Sequence, residues 1–259
     1  MAKYLKNKDI YAENHYGKYI LPRAYSMSRT ARLFLCGEVY EKETIEFINN
    51  NYNDGSIIHA GCSWGDHLPA LSKIVNKNSN IYAFEPNNLS YEYAIKNKLI
   101  NNLENVHIKN FALGEQKSLS YINLTDKKGN ILAGTSIISK EGIVENRWPS
   151  NIQEFLYNIL KLKPEFFNNN SISEENVKKQ KIYIETLDDH IPLNDKISII
   201  FLDVELFEEK ALLGARNILK KNKPILILEY FAEDKFNQSI IKEFGYKFKK
   251  RCNNNYIYE

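Results

Sequence analysis

Ser56-Ile57-Ile58-His59-Ala60-Gly61-Cys62-Ser63-Trp64-Gly65-Asp66-His67 decides the fold. An apolar run of strand length meets a turn carrying two glycines, and a helical pattern follows over 66–75, with Leu68, Leu71, Ile74 and Val75 at helical spacing. Outward from there the rhythm repeats: 81–84 reads as a strand, 90–100 as a helix and 106–108 as a strand. Strand–helix–strand units this closely spaced require right-handed crossovers and a parallel sheet. Residues 181–185 and 197–202 read as further strands, 208–219 as a helix, and 224–228 as a continuously apolar, doubly covered strand. A helix over 235–244 and a hairpin of 245–249 with 256–258 complete the pattern. The expectation is an α/β fold: a seven-stranded, mostly parallel sheet with an antiparallel C-terminal hairpin.

The edges are less regular. Residues 1–50 read as an N-terminal helical extension, a polar lead followed by a surface helix over 38–49. The main domain is expected over 51–259. Extra strands are expected at 118–124 and 135–138. An insertion at about 141–175, with a helix over 152–162, breaks the rhythm and is read as a lid, because long irregular segments in compact domains are usually functional or disordered.

Composition narrows the class. The 259 residues hold 35 basic and 32 acidic side chains, a net charge of +3. That balance argues against a nucleic-acid partner. No apolar run approaches membrane-spanning length, and no secretory signal opens the chain, so no membrane partner is expected. Cys36, Cys62 and Cys252 lie far apart in no metal-ligand or disulfide pattern, which suits a reduced, cytoplasmic protein.

The turn and the next strand carry the chemistry. Glycines allow close backbone approach to a ligand. Glu85 lies twenty residues beyond Gly65, at the end of the second strand, where an acid accepts hydrogen bonds from ribose hydroxyls. Together they describe an adenosine-bearing ligand across the strand tips. Dinucleotide sites need a G-x-G-x-x-G turn. Counting from Gly61, Ser63 and Asp66 occupy the later glycine positions, and an aspartate repels a pyrophosphate. S-adenosylmethionine has no phosphate and brings an ammonium, a carboxylate and a sulfonium, so this turn favours it over NAD.

From about Gly37 onward the chain resembles the FkbM-type methyltransferases, a Rossmann-like family. The turn 61–67, then Phe84-Glu85-Pro86-Asn87 with Asn97 and Asn102, and Asn110-Phe111-Ala112-Leu113-Gly114 carry the first half of the resemblance. Thr186-Leu187-Asp188-Asp189 and Leu202-Asp203-Val204-Glu205, with Glu208, Gly214-Ala215, Lys223-Pro224 and Glu229, carry the second. The resemblance implies S-adenosylmethionine as cofactor and O-methylation of a small-molecule acceptor, a hydroxyl on a sugar or secondary metabolite. It implies a cofactor site of Gly61, Cys62, Ser63, Gly65, Asp66, His67, Glu85, Pro86, Asn110, Phe111 and Asp203. Asp203, Glu205 and Glu229 are the candidate catalytic acids, with Asp203 first, and no metal is expected.

Two residues depart from the family pattern. His59 stands in place of an aspartate, and Leu206 in place of a glycine. They keep a non-catalytic adenosine-binding protein open beside the methyltransferase and the NAD-type oxidoreductase. His67 and His190 are candidate bases or structural histidines, and Asp188-Asp189 a metal pair or a cap. Tyr16, Tyr19, Tyr25 and Tyr40 are candidates for covering the cofactor or for a homo-oligomer contact.

Overall fold

A computed structural model describes residues 9–126, 129, 131–132, 138–139, 177–229 and 240–259. The expected lid at 141–175 lies outside the described residues.

The central sheet holds β3 (Ser56–Ala60), β4 (Ile81–Phe84), β5 (Val106–Lys109), β10 (Ile197–Leu202), β11 (Ile225–Glu229), β12 (Phe248–Cys252) and β13 (Asn255–Tyr258) in the order β12-β13-β11-β10-β3-β4-β5. The five strands from β11 to β5 are parallel, and the β12–β13 hairpin adds to β11 antiparallel. Side chains alternate between the two faces, as the period of two requires. Ile58, Ala60, Ile200, Leu202, Leu226 and Leu228 pack against α5 (Glu208–Leu213), α6 (Arg216–Asn222) and α7 (Ile240–Glu243). Ile57, Ile199, Phe201 and Ile227 pack against α2 (Lys42–Asn51), α3 (Leu68–Ile74) and α4 (Asn88–Ile100).

The helix expected over 208–219 is divided at Gly214. A side chain there would meet the Gly114 carbonyl oxygen at 2.0 Å, so a glycine lets the two segments approach. Asp188 settles as a cap: its carboxylate accepts from the backbone N–H of Asn217 (2.9 Å) and Ile218 (3.1 Å) at the start of α6. A smaller sheet, β6 (Ala112–Leu113), β9 (Lys179–Glu185), β7 (Ser118–Asn123) and β8 (Ile138–Ser139), flanks the first. β9 belongs to it rather than to the main sheet, pairing antiparallel with β7.

Among the described residues the N-terminal segment is not helical throughout, as expected of it: a hairpin, β1 (Ile10–Asn14) and β2 (Gly17–Leu21), precedes α1 (Arg29–Leu35) and α2. Short alternating stretches such as Tyr19-Ile20-Leu21 carry a strand signal that the polar surroundings hide. The hairpin is anchored by side chains on α4 that act like a partner strand. Asn97 accepts from Ile20 N–H (2.6 Å) and donates to the Ile20 (3.0 Å) and Trp64 (2.7 Å) carbonyls. Asn101, one turn on, accepts from Lys18 N–H (2.9 Å) and donates to the Lys18 carbonyl. Tyr19, Phe34 and Trp64 then stack edge-on beneath, with Phe34 and Trp64 4.8 Å apart.

Asn97 is fully buried, and removing its amide strands three backbone groups. Asn97→Ala is expected to cost about 3 kcal/mol in urea unfolding, against under about 1 kcal/mol for Asn101→Ala, whose partners lie at the surface. Equal losses would remove the strand-mimicking role from Asn97.

Candidate active site

The parallel strands end in one row. Ala60 is in register with Phe84 on one side and Leu202 on the other, and Leu202 with Leu228. The next residue in each chain is Glu85, Gly61, Asp203 and, within the last turn of β11, Glu229. Four strands thus deliver their functional residues to one edge. Gly61 makes the row possible: its φ is +76°, and a side chain on it would meet the Asp203 carbonyl oxygen at 1.7 Å. Its N–H and that of Cys62 donate to the Phe84 carbonyl (2.9 and 3.2 Å), which ties the turn to β4.

A cavity of about 370 Å³ lies over this edge, within the range of small-molecule and cofactor sites. Of the residues expected to bind cofactor, Gly61, Ser63, Asp66, His67, Glu85, Pro86, Phe111 and Asp203 line it. Glu205 and Glu229 line it too. Three expected residues do not. The Cys62 side chain is buried in the core beneath the turn. Gly65, at φ +82°, packs against Leu68 and Ala94 and serves the turn's geometry. Asn110 donates to the Glu85 (2.9 Å) and Pro86 (3.3 Å) carbonyls, so it shapes the wall from behind. His190 stands outside, 3.3 Å from Glu185 and against Phe111.

Glu85 is held in place by backbone: Ser63 N–H donates to Oε2 and Asn87 N–H to Oε1, both at 2.8 Å. Ser63 reaches it from the left-handed region, φ +48°. Burial pushes the Glu85 pKa up to about 7, those two N–H groups opposing. Asp203 and Glu229 hydrogen-bond carboxyl to carboxyl from adjacent strand tips. Burial and this mutual repulsion raise Asp203 well above the carboxylate range, and burial raises Glu229 to about 7. The pair retains a proton that separate carboxylates would release. Glu208, beneath them, accepts from Val204 N–H (3.3 Å) and is raised by burial to about 8. Glu41 accepts from Asn255 Nδ2 (2.8 Å), the residue paired with Glu229 across β11–β13.

His59, the departure at the first strand, is not a ligand-facing group. It is wholly buried and stacked on Phe201 at 4.4 Å, with His67 at 5.5 Å, and burial lowers its pKa to about 3. It is a neutral aromatic spacer under the turn. Sequence reasoning missed Ser28, Arg29 and Thr30, which line the cavity with Tyr25 and Tyr40. Nothing in their spacing marks them, because their approach depends on the Asn97-anchored hairpin. Tyr25 hydrogen-bonds Ser90 (3.0 Å), and Tyr40 stacks on His67. Tyr19 is a core residue instead, and Tyr16 packs at the edge of the core around α2 and α3. Among the described residues no group of three His, Cys, Asp or Glu is placed to hold a metal ion, and no helix is long and apolar enough to cross a membrane.

The donor set suits S-adenosylmethionine. Glu85 offers both oxygens at the edge where a ribose diol would lie. The carboxylates of Asp66, Asp203, Glu205 and Glu229 favour the cofactor's cations, and Asp66 sits where a pyrophosphate would be repelled.

Two outcomes follow. In the unfolded chain the buried glutamates titrate near 4.5; folded, Glu85 and Glu229 titrate near 7 and Glu208 near 8. Between these values the folded state holds the extra protons, so the cofactor-free protein is expected to lose stability as pH rises from about 5 to about 8. A Tm that climbs over that window would contradict the burial of these acids. Leu206 adopts φ +72° with its side chain 59% exposed. The left-handed region costs a leucine about 1–2 kcal/mol, and glycine's added chain entropy offsets about half of that. Leu206→Gly is expected to stabilise the protein by about 0.5–1 kcal/mol in urea unfolding; a destabilised variant would show that the leucine side chain makes a contact worth more than the strain.

The model of the methyltransferase FkbM domain matches residues 51–256. No curated protein matches. Among solved structures, the chain is similar to methyltransferase FkbM from Methylobacillus flagellatus KT, at 14% identity and TM-score 0.46, covering 79% of this chain and 43% of that one. The chain therefore spans less than half of that protein. It is also similar to an M. jannaschii TYW2 structure in complex with AdoMet (14%, TM-score 0.45, 98% and 84% covered). A SAM-dependent methyltransferase from Aquifex aeolicus is a third likeness (13%, TM-score 0.44, 91% and 95% covered). On the family match, which spans four-fifths of its length, the chain belongs to the FkbM methyltransferases, whose methyl donor is S-adenosylmethionine.

Proposed function

We propose that the protein methylates a hydroxyl of a small molecule, a sugar or secondary metabolite, with the cofactor lying along the strand-tip row from Glu85 to Asp203. The observation that carries this reading is the Asp203–Glu229 carboxyl pair at the cavity floor. Bound there, the cofactor supplies an electrophilic methyl on a sulfonium. Glu85 binds the ribose hydroxyls, and the turn from Gly61 to Asp66 faces the methionine end. Phe111 and Pro86 provide the apolar wall on the adenine side.

A neutral hydroxyl is a poor nucleophile, and a carboxylate that takes its proton contributes about 10²–10⁴-fold. The pair holds one proton between two carboxyls, so one oxygen face is basic while the other is protonated. A cation entering beside them favours the ionised form. With a sulfonium bound beside the pair, Asp203 and Glu229 would have a lower proton affinity, their shared proton would pass to solvent, and Asp203 would be ionised and able to take the acceptor's proton. Much of the remaining acceleration is alignment of the acceptor oxygen behind the methyl carbon, which Glu205 and Tyr40 flank.

Asp203→Asn keeps the side chain's shape and removes the base. With labelled cofactor and a panel of sugars and other hydroxyl-bearing small molecules, kcat at saturating cofactor is expected to fall by about 10²-fold or more, well beyond any loss of cofactor affinity. Lost cofactor binding with kcat retained at saturation would move Asp203 to the binding site. Labelled product on nitrogen or carbon would refute the hydroxyl acceptor.

A further inference from the structure

The cavity is rich in acidic side chains, yet one part of S-adenosylmethionine is itself an anion. Asp66, Glu85, Asp203, Glu205 and Glu229 all line it, and they suit the sulfonium and the ammonium. They are the wrong company for the α-carboxylate of the methionine moiety, since like charges at contact distance repel. That group needs a cation, and the described family-matched residues that line the cavity include no lysine or arginine. Among the described lining residues the single such side chain is Arg29, which precedes the matched region.

We infer that Arg29 binds the α-carboxylate of the cofactor's methionine moiety, so that α1, which precedes the family-matched region, contributes a side chain to the cofactor site. The assignment rests on the strand-tip cavity being the cofactor site. Its placement follows from contacts already described. Phe34, on the same helix as Arg29, stands edge-on to Trp64 at 4.8 Å. Trp64 lies between Ser63 and Gly65 in the turn that faces the methionine end, and its carbonyl is held by Asn97. Five residues of helix, about 7–8 Å of rise, separate Phe34 from Arg29, which lines the cavity. Upstream, Tyr25 bonds Ser90 beside Glu85 and Asn87, at the proposed ribose edge. The wall that carries Arg29 is thus tied at one end to the surroundings of Glu85 and at the other, through Phe34, to the turn that holds Ser63. Arg29 is exposed and makes no ion pair with a described residue, so its guanidinium is available for bidentate pairing with a carboxylate. Ser28 and Thr30 flank it with hydroxyls on the same wall.

The test compares S-adenosylmethionine with its decarboxylated analogue, which keeps the adenosine, sulfonium and ammonium and lacks only the α-carboxylate. Calorimetry on the full-length protein at low salt gives the affinity ratio of the two. The wild type is expected to prefer S-adenosylmethionine by about tenfold or more, and Arg29→Ala to bring the ratio close to one. Arg29→Lys, which keeps the charge and loses the fork, should fall between. The decarboxylated analogue should bind wild type and Arg29→Ala equally. A wild-type ratio near one, or a ratio unchanged in Arg29→Ala, would overturn the assignment. So would equal losses for both ligands in Arg29→Ala, which would make Arg29 merely structural. A wild type that binds neither ligand would refute the cavity as cofactor site, and the assignment with it.

Discussion

The approach of Gly61 to the backbone of Asp203 is the constraint on which the site depends. The turn after β3 must pass under the end of β10 with no side chain between them, because the space ends at the Asp203 carbonyl. That approach sets the register in which Phe84, Ala60, Leu202 and Leu228 align. The register in turn places Glu85, Asp203 and Glu229 on one edge. A one-residue slip would turn each of these acids toward the opposite face. The chemistry therefore rests on a backbone contact rather than on the acids' own interactions, and those acids are held close at a cost in repulsion.

That cost is visible in the protons. Burial raises Glu85, Glu208 and Glu229 together, and Asp203 shares a proton with Glu229. On the reading proposed above, a cation bound beside these carboxyls would lower their proton affinity and leave Asp203 ionised. Storing strain at the site while the core carries stability is a common arrangement. Here large apolar clusters pack on both faces of the sheet beneath the site.

Much of this was legible in the sequence, for a physical reason: the parallel strands are buried on both faces and announce themselves as apolar runs, and their tips are fixed by the glycine turn. The strand at 56–60, the acid at 85 and the acids at 203 and 229 fall where those runs end. What was not legible depends on contacts distant in sequence. Cys62 and Gly65 sit inside the turn motif yet face the core and α4, because a motif's spacing does not say which way each side chain points. Asn110, expected beside the adenine, donates to the carbonyls of Glu85 and Pro86 and does not line the cavity, which its place in the motif does not reveal. The hairpin of 10–21 was hidden because its edge pairs with two asparagine amides on a helix and not with a third strand. The break at Gly214 was hidden because only the nearby Gly114 carbonyl demands it.

The N-terminal segment changes how the family match is to be read. The match begins at residue 51, yet Tyr25, Ser28, Arg29, Thr30 and Tyr40 line the cavity from before it. The matched region supplies the strand tips, and hence the acids that line the cavity. The wall facing those tips is held by Asn97 and by the Tyr19–Phe34–Trp64 cluster, with Trp64 itself in the glycine turn. Trp64 thus links the two parts directly: its ring seats the N-terminal wall while its neighbours Ser63 and Asp66 line the cavity. The wall and the turn are also joined by Asn97, which holds the Trp64 carbonyl, and by Tyr40, which stacks on His67. A change in the wall therefore reaches the glycine turn through contacts that the family match does not include.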